Sequence, residues 1–374
     1  MSSIAALVTI YARSMAIESR RPPVHDLSRP GGGVRVEIDV SEAAELLMSI
    51  CALSGEEDLD TFELGRERLE QIKRSVSPDL LAAADGLLLG SEKIPAHLLG
   101  LVYETPRPRT IDAFLERLRQ TSAVEIRLHL LAYYMNAHHV TDPEIIRAAA
   151  TGDGAARATL VDALSEWGSK RAVVERLLER QPDELKDQLL DLLPRWRDEV
   201  FAPLADEAMS LAERDAEAKR ELAPALSPEE FVERATNGLQ YTPGPHIRNI
   251  AFFPTFWERP WVILIEYKHV KIFCYPISVD RAGTGSDPAQ LARVYKALAD
   301  EGRLRLLRRL ERGPLSLGEA SDELGVGKST AHHHLGILRH AGFVVVRDGD
   351  EHEYALRRDL LPQAGELLST FLRS

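Results

Sequence analysis

Over residues 34–40 and again over about 246–279 the chain is patterned like β-structure; most of what lies between repeats like helix. Val34, Val36, Ile38 and Val40 are interleaved with Arg35, Glu37 and Asp39, the period of two expected of a half-buried strand. From Ser41 to about Asn237 apolar residues recur at spacings of three and four, as in Ala43, Leu46, Leu47 and Ile50, and again in Leu115 and Leu118. Helix starts are marked by Ser77-Pro78-Asp79, Asp142-Pro143-Glu144 and Ser227-Pro228-Glu229-Glu230. Each sets a capping side chain before a proline, whose missing N–H costs nothing in the first turn. His246–Phe253, Trp261–Tyr267 and Val270–Ile277 are short runs rich in β-branched and aromatic residues. They predict a small antiparallel meander over about 247–277, with the strand at 34–40 available to pair with it.

The last part of the chain has a tighter pattern. A helix over Leu291–Ala299 is followed by a second over Arg303–Leu310, which Asp300 can cap. Ser316-Leu317-Gly318-Glu319 has the spacing of a capping box, and Gly325 suits the left-handed position that ends a short third helix. The turn Gly325-Val326-Gly327 leads into a fourth helix, Lys328–Ala341, so two short helices meet across a tight turn: a helix-turn-helix. Asp348-Gly349 between Phe343–Arg347 and His352–Leu356 is a hairpin signal, and a helix-turn-helix followed by a hairpin is a winged helix. At 100° per residue, Ala331, His334, Leu335, Leu338 and Ala341 share the core-facing stripe of the fourth helix. Ser329, His332, His333, Gly336 and His340 lie opposite, with Lys328 and Arg339 on the flank. That outer stripe offers hydrogen-bonding groups suited to base edges and phosphates in a major groove.

The fold class expected is therefore mainly α with small antiparallel β. Residues 1–33, which include Arg29-Pro30-Gly31-Gly32-Gly33, have linker composition and read as a disordered extension. Residues 34–280 form a helical regulatory domain with a small sheet. Arg281–Ser286 is a joint, and residues 287–374 are the winged helix-turn-helix. The net charge of −12 over 374 residues argues against nucleic acid until it is divided. Residues 287–374 hold thirteen basic and thirteen acidic residues, so the whole excess lies upstream. Two cysteines, Cys51 and Cys274, exclude a disulfide scaffold and a four-cysteine metal site. No run approaches the ~18 apolar residues of a membrane span, and no basic residue precedes the apolar run Ile4–Ala12. A cytoplasmic protein with no membrane partner is expected.

Ala297-Leu298-Ala299-Asp300 with Arg303-Leu304-Arg305-Leu306-Leu307, and then Ser329-Thr330-Ala331-His332-His333-His334-Leu335-Gly336-Ile337-Leu338-Arg339-His340-Ala341-Gly342-Phe343-Val344, resemble the opening and the recognition helix of ArsR-type transcriptional regulators. The resemblance spans about 85 residues. It implies a homodimeric repressor or activator on a roughly palindromic double-stranded DNA operator, with the first and last helices (Leu291–Ala299 and Leu360–Leu372) as the dimer seam. On this reading Lys328, Ser329, Thr330, His332 and His333 meet DNA, and Arg339 and Arg347 lie near its backbone. The chain departs from the family pattern in three places. The wing tip, Asp348-Gly349-Asp350-Glu351, is acidic; Gly336 stands where a basic or polar residue is usual; and the third helix lacks the paired cysteines of the metal-sensing members.

Other chemistry finds less support. Neighbouring helical residues point about 100° apart, so His332-His333-His334 cannot converge on one ion, and the same holds for His138-His139. No metal or cofactor is expected. Phe252, Phe253, Phe256, Trp257 and Trp261 either pack the sheet or line an apolar pocket. No nucleophile elbow, phosphate loop or His-Glu-x-x-His occurs, so no enzyme is expected. The upstream domain then either senses a small-molecule effector, or is a protein-interaction or dimerisation module on a constitutive DNA binder.

Overall fold

A computed structural model describes residues 34–54, 59, 62–88, 94–134, 141–167, 171–277, 288–347, 353–358 and 361–373. The N-terminal extension, the joint at 281–286, His138-His139 and the acidic wing tip lie outside the described residues.

The described chain is mostly helical, as its periodicity predicts. After β1 (Arg35–Ile38) come α1 (Glu42–Leu53), α2 (Arg66–Ser75), α3 (Pro78–Leu88), α4 (Leu99–Glu104), α5 (Ile111–Gln120), α6 (Ala123–Leu130), α7 (Pro143–Thr151), α8 (Gly154–Trp167), α9 (Arg171–Glu179), α10 (Pro182–Trp196), α11 (Ala205–Leu222) and α12 (Pro228–Ala235). The Ser41 hydroxyl accepts from Ala44 N at 3.1 Å to start α1, and every residue from Ala43 to Leu53 is buried. A helix enclosed all round is the centre of its domain, and α1 is packed by α4, α5 and the sheet. The predicted starts at Asp142-Pro143 and Ser227-Pro228 are both present, the latter as a complete capping box.

Strands β2 (Leu239–Gln240), β3 (Asn249–Thr255), β4 (Ile263–Tyr267) and β5 (Val270–Pro276) follow. The main sheet has the order β1-β3-β5-β4. It is not the antiparallel meander expected: β1 and β5 both run parallel to β3, and only β4–β5 is an antiparallel hairpin. The chain leaving β3 steps over the place of β5, and that step is made by residues 256–262. Both faces of the sheet are covered, which is why its strands read as nearly continuous apolar runs. Ala251, Phe253, Ile272 and Cys274 belong to the core of the helical domain. Ile250, Phe252, Phe273 and Tyr275, one residue out of phase, belong to a second core.

That second core is the winged helix. It joins the sheet to α13 (Pro288–Leu298), α14 (Glu301–Leu310), α15 (Leu317–Leu324), α16 (Lys328–His340) and the strands β6 (Leu315–Ser316), β7 (Val344–Arg347) and β8 (Glu353–Leu356). α17 (Leu361–Phe371) packs on α13. β2 pairs in parallel with β7, setting Leu239 against Val346 and Gln240 against Arg347. Thus residues 228–277, placed upstream by composition, share a core and a sheet with the DNA-binding module.

Candidate nucleic-acid interface

Local sequence builds the helix-turn-helix as expected. Asp300 caps α14 by accepting from Arg303 N at 2.9 Å. Ser316 and Glu319 form the full capping box on α15, and Gly325 takes the left-handed conformation at φ 68° that lets the chain turn. On α16, Ala331, Leu335 and Leu338 are wholly buried. His334 stands at the edge of the core, its Nδ1 3.6 Å from Asp300 Oδ1, with burial lowering its pKa against the pull of that carboxylate. The wing follows directly as the antiparallel pair β7–β8.

The residues expected to meet DNA fall into three groups. Lys328 and Thr330, in the first turn of α16, are exposed, and Ser329 between them is half-buried. Arg347 is exposed at the end of β7. His332 and His333 are half-buried, because the indole of Trp261 lies against them. Its ring is stacked on His332 with centroids 5.6 Å apart and planes at 17°, and its centroid is 6.3 Å from that of His333.

Arg339 is not on an open flank. It is 7% exposed, donating from Nη1 to Thr236 O at 2.6 Å and from Nη2 to Pro260 O at 3.3 Å. Burial lowers its pKa to about 10, so it is still a cation at neutral pH, and two carbonyls occupy the donors that a phosphate would need. Gly336, expected to face outward, is also buried. A side chain there would overlap Trp261, with a Cβ only 2.7 Å from Cη2.

Several residues at this surface were not singled out as site residues from sequence. Asn237 donates from Nδ2 to His340 O at 2.6 Å, and the Glu63 carboxylate contacts His340 Nε2. The sequence pattern offers Trp261 only as packing for the sheet or as pocket lining. One signal could have found it. Gly336, a residue without a side chain where the pattern wants a polar one, marks a close approach by something bulky.

Among the described residues no group of three or more His, Cys, Asp or Glu side chains is placed to hold a metal ion, and no helix is long and apolar enough to cross a membrane. Cys51 and Cys274 are both buried.

Helices α15 and α16 with the β7–β8 hairpin define a winged helix-turn-helix. A family model for a helix-turn-helix domain matches residues 298–347. Over 77 residues the chain is 38% identical to the HTH-type transcriptional regulator YceK of Bacillus subtilis, covering 20% of this chain and 77% of that protein. It is 39% identical over 84 residues to the HTH-type transcriptional regulator CmtR of Mycobacterium tuberculosis, covering 22% of this chain and 71% of that one. It is also 36% identical over 58 residues to the biofilm growth-associated repressor of Xylella fastidiosa, covering 16% and 51%. No solved structure matches the chain. The protein belongs to the winged helix-turn-helix transcriptional regulators.

Proposed function

We propose that the protein is a sequence-specific transcriptional repressor of ArsR type, acting on double-stranded DNA as a cytoplasmic homodimer. In this reading it is not an enzyme, α16 is its reading head, and residues 34–280 respond to a small-molecule effector. The observation that carries the reading is the division of α16. One stripe is sealed into the core, and the opposite stripe carries Ser329, His332 and His333, with Lys328 and Thr330 exposed in the first turn, where recognition helices touch base edges. Similarity to a protein named a repressor favours that sign of regulation. A dimer seam is supported by the exposed apolar side chains of Tyr295 on α13 and of Leu361 and Leu368 on α17, joined by Leu372 just beyond it.

An effector-responsive upstream domain is favoured over a passive one by the shared sheet. Its two faces belong to the two cores, so a shift in the helical domain is felt at the winged helix. The test begins with duplexes selected from a random-sequence library by the full-length protein. Base contacts specify while phosphate contacts position. His332→Ala/His333→Ala should therefore erase discrimination between selected and random duplexes, and leave the unfolding transition in place. Full discrimination by the double variant overturns the assignment of this stripe. A metabolite screen by thermal shift checks the effector, since a ligand of the folded state raises its stability.

A further inference from the structure

The stripe of α16 that should enter DNA is covered by the protein itself. The cover is the step between β3 and β4, residues 256–262, joined by Glu63 from the approach to α2. Trp261 lies on His332 and against Gly336, Arg339 is tied to Pro260 O, and His340 contacts Glu63. These contacts run from His332 to His340, about the last two and a half turns of the recognition helix. A major groove is about 12 Å wide, and a helix with its side chains is ~10–12 Å across. There is no room in the groove for a second layer of chain on the outward stripe. DNA and the 256–262 segment therefore need the same surface.

Resting on the reading of α16 as the DNA-contacting helix, we propose that residues 256–262 with Trp261 are an autoinhibitory cover. The described structure is the closed state, and operator DNA binds only after Trp261 leaves His332 and Gly336. The cover is built into the helical domain rather than hung on a loose loop. Phe256 N donates to the buried Glu45 of α1 at 2.9 Å, Arg259 Nε donates to Phe256 O at 2.9 Å, and Glu63 N donates to Arg259 O at 2.9 Å. Movement of α1 is thereby transmitted to Trp261. The closed state also carries a defect, because the Trp261 indole N–H is buried with no hydrogen-bond partner. A buried unpaired donor weakens the arrangement that buries it, and so leaves the cover poised to open. A protein whose binding-competent state is only a fraction of the population binds with its affinity lowered by that fraction.

The experiment uses full-length protein and a duplex selected by it from a random library. Trp261→Ala removes the cover's main contact. Glu63→Ala, at the rim and partly exposed, weakens the cover without opening a core cavity. Both variants, shown to retain a cooperative unfolding transition, should bind the duplex more tightly, Trp261→Ala by tenfold or more and Glu63→Ala by severalfold. In the wild type, backbone amides of residues 256–264 should exchange faster with solvent deuterium when the duplex is bound. Unchanged or weaker binding by both folded variants overturns the cover, as does unchanged protection of 256–264 in the complex. In those cases His332→Ala/His333→Ala still reports on the DNA-reading assignment independently. If neither wild type nor Trp261→Ala enriches any duplex, the DNA reading fails and the cover fails with it.

Discussion

Glu45 offers a quantitative check on how the cover is anchored. It lies on α1, 1% exposed, and its Oε1 accepts from Phe256 N. Burial pushes its pKa up from 4.5 to about 8, against the lowering effects of the Phe256 amide, the Thr255 hydroxyl and the charge of Arg259. A folded pKa above the unfolded one means that the native state holds this proton more tightly. Its contribution to stability is complete below about pH 4.5, falls as pH rises, and is gone once pH passes about 8. At 1.36 kcal/mol per unit, the whole range corresponds to roughly 5 kcal/mol, and the span from pH 6 to pH 8 to about 2 kcal/mol. Glu45→Gln keeps the acceptor for Phe256 and cannot ionise. Its stability relative to wild type, from urea unfolding at pH 6, 7 and 8, should therefore rise by about 2 kcal/mol across that range. Any constant cost of the amide cancels, because only the slope is read. Parallel profiles for the two proteins would falsify the neutral, buried Glu45.

The turn into the recognition helix is expected to be held by its caps. Ser316→Ala should lower stability by about 1 kcal/mol, and Gly325→Ala by a similar amount because of its positive φ, both read from chemical unfolding; no change in either would remove the cap argument. Leu361→Glu/Leu368→Glu, on exposed positions of α17, should shift the protein from dimer to monomer in sedimentation and leave its fold intact. A double variant that sediments as the wild type does would place the seam elsewhere.

Much of the winged helix was legible in the chain because its signals are local. A capping box spans four residues, a left-handed glycine acts at one, and the stripe Ala331-Leu335-Leu338 follows from helical period alone. The strands at 34–40 and in 247–277 were legible for the same reason. Their pairing was not. Parallel neighbours β1 and β3 are separated by more than two hundred residues, and alternation along a strand says which side chains share a face, not which strand lies beside it. The outer stripe of α16 shows the limit most clearly. Its composition suits DNA, yet Gly336 and Arg339 are buried, because a tryptophan about 75 residues earlier is brought onto them.

By itself, then, the sequence determined the kind of module at the C-terminus, the helical character upstream, and the uneven placement of charge, since each depends on residues within a turn or two of one another. Tertiary structure alone decided that one sheet serves two cores and that the outer side of α16 is occupied by Trp261, Pro260 and Glu63. Those outcomes depend on which distant surfaces meet. Packing decides that, as Phe252 and Phe273 fill one side of the sheet and Phe253 and Cys274 the other.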